Sequence, residues 1–431
     1  MAQFGGYRVA FLIALGMVMA GLGIYPSQTL YAQGDWWQRS PQFRTRYYNV
    51  KTDLGPGQAK EIANHLDRTF ESYLALFAGL KLRRLAKLDV YVFATQQDYL
   101  TVLRQRFQTD GTGSGGMCIT RGNLISLVAW KGQNGMDRLK GVLQHEGFHQ
   151  FASNLFPSLP TWANEGLAEV FERGVLIDGK IVLGEVAQSD IRRLQATKQA
   201  SRFRSINEII NVRQADWNHQ LAAGNAGENY LQAWSLVHCF LYAENARYQK
   251  QFMAFLQGIN NGLSWERSFL AAFGVPDFES INVVWLRYID SLPPMDYAET
   301  IRRMDFLSAG YMQLRDKKIY PRSLEQLREK LAEIGFEYES SLFGSTQKLT
   351  AADEKSFQVP FATAWKTEPE FELVDTKGNK PDLDKKVNNE SSRAPKPLLI
   401  RTSGLAPLEF QVGWEKDRKS LGGQRPVFTA R

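Results

Sequence analysis

The chain has 431 residues, enough for two or three domains, and its 44% hydrophobic and 12% aromatic content places it among globular proteins with a packed core. Lys and Arg outnumber Asp and Glu by 52 to 45, for a formal charge of +7 and a pI near 9.2. The basic residues are scattered and form no aromatic-basic stripe, which speaks against a nucleic-acid partner. It suits a solvated surface able to associate with acidic envelope polymers or a membrane surface.

The first 34 residues carry one positive charge at Arg8, an apolar run from Val9 to Ile24, and small and polar residues around Ala32. That layout predicts a secretory signal peptide over 1–32, with an uncleaved N-terminal anchor as the alternative. The mature protein is therefore expected to be secreted, periplasmic or otherwise extracytoplasmic. In an oxidising compartment Cys118 and Cys239 could pair, although the apolar helical setting of Cys239 favours a buried free thiol.

Thr45–Thr52 reads as a strand, Gly57–Leu80 as an amphipathic helix with Ile62, Leu66, Phe70, Leu74 and Phe77 on one face, and Leu88–Ala94 as a second strand. Gln96–Phe107 follows as a helix. The glycine-rich stretch 111–116 is expected to turn the chain into Met117–Thr120 and then the strand Leu124–Trp130. The segment beginning at Met136 has helical apolar spacing through Leu155. Phe156 to Pro160 breaks it, and Thr161 is placed to cap a helix over Trp162–Arg173. Asp178-Gly179 marks a hairpin turn. Helices are then expected over Tyr230–Ala246, Tyr248–Gly258, Trp265–Phe273 and Phe278–Leu292, with Ser323 capping one over Leu324–Ile334. The polar run 375–397 reads as a flexible loop between two apolar alternating runs, Phe357–Phe371 and Leu398–Trp414.

The chemistry lies in His145-Glu146-Gly147-Phe148-His149, which spells H-E-x-x-H. With five histidines in the chain, a chance occurrence is expected on the order of a few times in a thousand. On a helix, residues four apart share a face, so His145 and His149 can present two imidazole nitrogens to one metal ion. Glu146 lies beside that ion, where a carboxylate can take a proton from a zinc-activated water and later deliver it to the leaving amine. A catalytic zinc needs a third protein ligand. Position 155 is Leu, which excludes the third histidine of the metzincins. The downstream helix offers Glu165 as that ligand, and Glu169 as a carboxylate able to accept a hydrogen bond from the far nitrogen of a zinc-binding His.

The segment Thr161-Trp162-Ala163-Asn164-Glu165-Gly166-Leu167-Ala168-Glu169 resembles the one carrying the third ligand in gluzincin metallopeptidases, the peptidase MA-like clan that includes the aminopeptidase N family. That resemblance implies zinc on His145, His149 and Glu165, with Glu169 behind them. Tyr230 to His238 is similar to the aminopeptidase segment whose tyrosine opens a helix near the zinc, which implies an oxyanion-stabilising role for Tyr230. His238 is expected to be a core or supporting histidine, and His65 and His219 have no motif around them. The layout from Tyr47 to about Leu292 resembles an uncharacterised exported family of the same clan. Gly115-Gly116-Met117-Cys118 lacks the acidic residue with which the aminopeptidases hold a substrate's amino terminus, which makes that exopeptidase activity doubtful.

The expected fold is α+β. A zincin-like domain over 35–295 combines a small mixed sheet and the H-E-x-x-H helix with a mostly helical subdomain. A helical extension follows over 296–340, then a small β-rich tail over 341–431. The expected function is zinc-dependent hydrolysis of a protein or peptide, with Leu124–Trp130 as the substrate edge. The alternative is a non-catalytic exported binding protein of the same fold.

Overall fold

Alternation along three short β-rich segments sets up a sheet with two covered faces. In the computed structural model, which describes residues 35–82, 87–122, 124–133, 135–217, 227–344, 346–360, 368–383, 394–405, 408–417 and 424–430, the chain opens with α1 (Trp36–Arg39) and β1 (Gln42–Arg44). There follow β2 (Tyr48–Thr52), α2 (Pro56–Leu76), β3 (Leu88–Phe93), α3 (Gln96–Phe107), β4 (Gly116–Arg121) and β5 (Leu124–Trp130). The expected signal peptide and His219 lie outside the described residues.

The sheet order is β1-β2-β3-β5-β4, with β2, β3 and β5 parallel and β1 and β4 antiparallel at the two edges. Period-two side-chain direction sorts the two faces. Val90, Val92, Leu127 and Ala129 turn into the main core beneath α2 and α4 (Gly135–Leu155), while Phe93 and Val128 pack with Trp36, Tyr99 and Leu103 on the other face.

Beyond α4 come α5 (Thr161–Glu172), the hairpin β6 (Val175–Ile177) and β7 (Lys180–Val182), α6 (Gln188–Gln199), α7 (Ile206–Ile210) and α8 (Gly227–Ala246). The hairpin turn is made by Asp178 and Gly179, both at positive φ, 47° and 80°, as a two-residue turn that follows the strand twist requires. Two boundaries differ from expectation. The Thr161 side chain does not cap α5; the helix begins at Thr161 itself, and the Pro160 carbonyl accepts from Ala163 and Asn164 at 3.0 Å each. Helix α8 is regular to Tyr242, after which Ala243 is extended and Glu244 and Asn245 are left-handed.

Helices at Gln249–Asn260, Trp265–Phe273, Glu279–Ser291, Tyr297–Asp316 and Leu324–Glu333 complete the helical part, the last capped by the Ser323 hydroxyl, which accepts from the Gln326 amide. The C-terminal region is β-rich, with a four-stranded antiparallel sheet formed by Glu370–Val374, Leu399–Ser403, Phe410–Lys416 and Gln424–Ala430. It shares the main core: the Tyr297 ring meets Phe410 edge-on at 5.0 Å, and the Tyr311 hydroxyl accepts from the Leu398 amide at 3.0 Å. The polar run expected as a flexible loop starts in an ordered turn, where Asp375 Oδ1 accepts from the amides of Lys377 and Asn379. Residues 384–393 lie outside the description. The fold is thus mixed α+β, with a small mixed sheet, a mostly helical middle and a β-rich C-terminal region. No described helix is long and apolar enough to cross a membrane.

The crossing of α5 over α8 is close enough to demand glycine. A Cβ on Gly166 would stand 2.5 Å from the Ala233 carbonyl oxygen and 2.6 Å from Val237 Cγ2. Backbone cannot yield as a flexible side chain does, so Gly166→Ala must push the two helices apart. We expect a loss of about 1–3 kcal/mol in denaturant unfolding with an unchanged m-value. Wild-type stability would contradict the close crossing.

Candidate metal centre

Helices α4 and α5 lie against each other, and their register is set by a buried amide. Gln144, immediately before the first motif histidine, donates from Nε2 to the Phe171 carbonyl and, at 3.1 Å, to that of Gly174. These carbonyls end α5 and its exit, where helix geometry leaves acceptors without internal partners. Farther along α4, Gln150 Nε2 donates to the carbonyls of Asp89 at 3.0 Å and Ile125 at 2.9 Å, tying the helix to β3 and to the strand segment beside it. One helix is thereby fixed to both the sheet and its partner helix.

Within that frame three of the expected residues come together. His145 Nε2 stands 3.5 Å from Glu165 Oε2, and His149 Nε2 stands 3.4 Å from the same oxygen. The three ligand atoms lie within 4.8 Å of one another. A tetrahedral ion about 2.0–2.1 Å from each ligand atom has ligand-to-ligand edges of about 3.3–3.4 Å, so the two histidine-to-Glu165 distances and the donor types fit a zinc ion. Among the described residues, Glu165 Oε2 is also buried without a hydrogen-bond partner. Such an atom is costly unless a cation faces it.

The electrostatics are tightly coupled. Burial pushes the Glu165 carboxyl up, but the facing His149 and His145 rings overcome this and hold it down at about 2. Burial likewise disfavours protonated His145, yet Glu165 and Glu172 hold its pKa well above the ordinary imidazole value. His149 is raised for the same reason, by Glu165 against its own burial. Glu146, on the same turn, acts electrostatically on both imidazoles and on Tyr230.

The far side of the His145 ring differs from expectation. Glu169 Oε1 is 3.7 Å from His145 Nδ1, and its other oxygen is taken by Arg173. Arg173 is itself held by Asp190 at 3.1 Å and lies over the Trp234 ring at 4.7 Å. Glu172 stands closer, with Oε2 2.9 Å from Nδ1, an ion-pair contact set off the N–H axis, and Arg138 grips its other oxygen. An acidic residue in the last turn of a helix faces the negative end of the macrodipole, so Glu172 owes its charge to these two partners. The sequence does carry a signal for it. Glu165, Glu169 and Glu172 sit at i, i+4 and i+7 on one face of α5, and Arg138 lies seven residues before His145 on α4.

Tyr230 is in the first turn of α8, its ring 6.1 Å from that of His145 and edge-on to Trp217 at 5.1 Å. Burial, with Glu165 next, raises its pKa, so the phenol keeps its proton. His65 and His238 are core residues. His65 Nε2 lies 3.3 Å from the Lys140 carbonyl, and burial followed by Lys140 lowers its pKa to about 4. The hydrogen-bond partners of His238 assign a neutral ring whose Nε2–H donates to the Gly184 carbonyl at 3.2 Å while Nδ1 accepts from the Tyr288 hydroxyl at 2.6 Å. Cys118 and Cys239 are free thiols.

A cleft of about 310 Å³ opens beside His149 and Glu165. The strand expected as a substrate edge, Leu124–Trp130, is paired on both sides, with β3 and β4. The sheet edge at the cleft is β4, which contributes Cys118 and Thr120. The reason is the hairpin at Arg121-Gly122, which folds β4 outside β5.

Residues 141–261 match the family described as "Protein of unknown function (DUF1570)". The matched stretch begins inside α4, ends just past the Gln249–Asn260 helix, and contains every site residue from His145 to Tyr230. No curated protein matches the chain.

The geometry separates the two carboxylates behind His145. Carboxylates that orient a metal-bound imidazole typically change metal affinity by about 10–100-fold when removed. Zinc competition assays should therefore show a weakening of that order for Glu172→Gln and a smaller one for Glu169→Gln. The reverse ranking would contradict the assignment of Glu172.

Proposed function

We propose that this chain is an exported zinc-dependent peptide hydrolase, with zinc held by His145, His149 and Glu165. The observation that carries the reading is the convergence of His145 Nε2 and His149 Nε2 on Glu165 Oε2, at 3.5 and 3.4 Å. Zinc in such a site supplies Lewis-acid polarisation of a carbonyl and lowers the pKa of a water molecule. The other parts of the reaction fall to side chains of the chain itself.

Glu146 adjoins both imidazoles and is not among the convergent ligand atoms, which leaves its carboxylate free for proton transfer. It accepts a proton from the attacking water and returns it to the amide nitrogen as the carbon–nitrogen bond breaks. Tyr230 remains a phenol at neutral pH and can donate its O–H to the oxygen that gains negative charge when the carbonyl carbon becomes tetrahedral. Glu172, gripped by Arg138, holds the His145 ring in place. A purely structural metal would have no need of Glu146, which weighs against a non-catalytic binding protein.

A peptide substrate is supported by the sheet edge. Strand β4 borders the cleft and, among the described strands, pairs with β5 alone, so its outer backbone groups can add an extended peptide as a further strand.

Glu146→Gln keeps the side-chain volume and removes the base. The variant should bind zinc with wild-type stoichiometry and lose about 10²–10⁴-fold in hydrolysis of an unfolded protein substrate. Equal activity in the variant would contradict the mechanism, and zinc binding without hydrolysis in the wild type would favour the binding protein.

A further inference from the structure

Within the peptide-hydrolase reading, on which this inference rests, the cleft beside the metal ligands carries information about the substrate. Its volume of about 310 Å³ lies at the lower end of small-molecule sites, room for a side chain with its flanking backbone and not for a folded segment. Besides His149 and Glu165, its wall combines the apolar Phe156 and Leu159 with the polar Thr120, Ser153 and Asn164. The only charged or ionisable groups among the described lining residues are the two metal ligands and Cys118, whose thiol burial keeps protonated.

The polar groups are available. Neither the Thr120 hydroxyl nor the Asn164 amide is engaged by another described residue. Ser153 Oγ donates to the His149 carbonyl at 2.8 Å within its own helix, which leaves its lone pairs free to accept. Together they offer both donors and acceptors and no net charge.

We propose that this cleft is a side-chain subsite for an uncharged, hydrogen-bonding residue (Ser, Thr, Asn or Gln) within an extended peptide, and that cleavage is internal to the chain. A hydroxyl or amide satisfies Thr120 and Asn164. An apolar side chain of the same size covers Thr120, which is exposed in the free cleft, and the half-buried Asn164, and gives neither a partner in place of water. A Lys or Arg side chain enters without a counter-charge of its own, because Glu165 is already shared between the two imidazoles, and no described lining residue is a Lys or Arg that could pair with Asp or Glu. The described lining likewise has no cation to hold a terminal carboxylate and no spare acid to hold a terminal ammonium, so neither end of a peptide is gripped here.

The test measures binding on zinc-equilibrated Glu146→Gln protein, so that it does not depend on turnover. The probes are terminally blocked peptides, acetyl-Ala-Ala-X-Ala-amide, with X as Asn, Ser, Leu, Lys or Glu. Asn and Ser should bind about tenfold more tightly than the other three, and unblocking either terminus should not tighten binding. Ser153→Asp should turn the preference toward Lys by a similar factor, and Thr120→Asp gives a second route should the first variant misfold. Flat selectivity, a wild-type preference for Leu or a charged residue, tighter binding of free termini, no binding of any peptide, or unchanged selectivity in both Asp variants would overturn the subsite. Wild-type hydrolysis with a Leu preference would overturn the subsite alone. The expected binding selectivity without any wild-type hydrolysis would support the subsite and overturn the hydrolase reading.

Discussion

A carboxylate shared between two imidazoles and shut away from water is the constraint on which the central architecture depends. Taken from water singly, Glu165 would be driven to the neutral acid and the two histidines to neutral rings. Together they reverse this: the carboxyl is held at about 2, and both imidazoles are raised despite their burial. The pocket is built for positive charge at the meeting point of His145 Nε2, His149 Nε2 and Glu165 Oε2. A divalent cation can take the place of two imidazole protons there without altering the charge balance, which is why the donor set and the electrostatics point the same way.

Such an arrangement survives only if the two helices that carry it cannot slide. Gln144 fixes α4 against the exit of α5, Gln150 fixes α4 to the sheet, and Gly166 lets α5 approach α8 at a distance no other residue allows. All three adjoin a site residue in sequence, Gln144 before His145, Gln150 after His149 and Gly166 after Glu165. The residues that hold the helices in register therefore adjoin those whose side chains converge at Glu165 Oε2. Behind them, Arg138 pairs with Glu172 and Arg173 with Glu169, so the negative charge on the far side of the His145 ring is balanced locally.

Much of this was legible in the sequence where local signals are strong. Helix α3 runs from Gln96 to Phe107 as its periodicity predicts, and Asp178-Gly179 turns the hairpin where the dipeptide says it should. His145 and His149 could be named because their spacing follows from helix geometry and metal chemistry, and Glu165 because two imidazoles need a third ligand and its segment resembles the gluzincin one. What was missed depends on tertiary contact. Helix spacing puts both Glu169 and Glu172 on the face of Glu165; only the position of Arg173, which takes Glu169, and of Arg138, which reaches Glu172, decides which one stands closer to His145. The expected cleft edge, Leu124–Trp130, is the more apolar of the two segments of the β4–β5 hairpin. Apolarity marks burial, and the buried strand is the paired one, leaving the more polar Gly116–Arg121 at the edge. The C-terminal strand Gln424–Ala430 carries Arg425 and Pro426 within a weak alternation, and it is defined by pairing with Phe410–Lys416.

The proposed chemistry requires that His145, His149 and Glu165 hold one ion. Zinc K-edge absorption on the zinc-equilibrated protein measures this most directly, since it reports ligand type, number and distance around the metal. Two imidazole nitrogens and one carboxylate oxygen are expected at about 2.0–2.2 Å, with a remaining position filled by solvent and an imidazole contribution lost in His149→Ala. A sulfur ligand from Cys118, or no zinc retained at the site, would contradict this coordination.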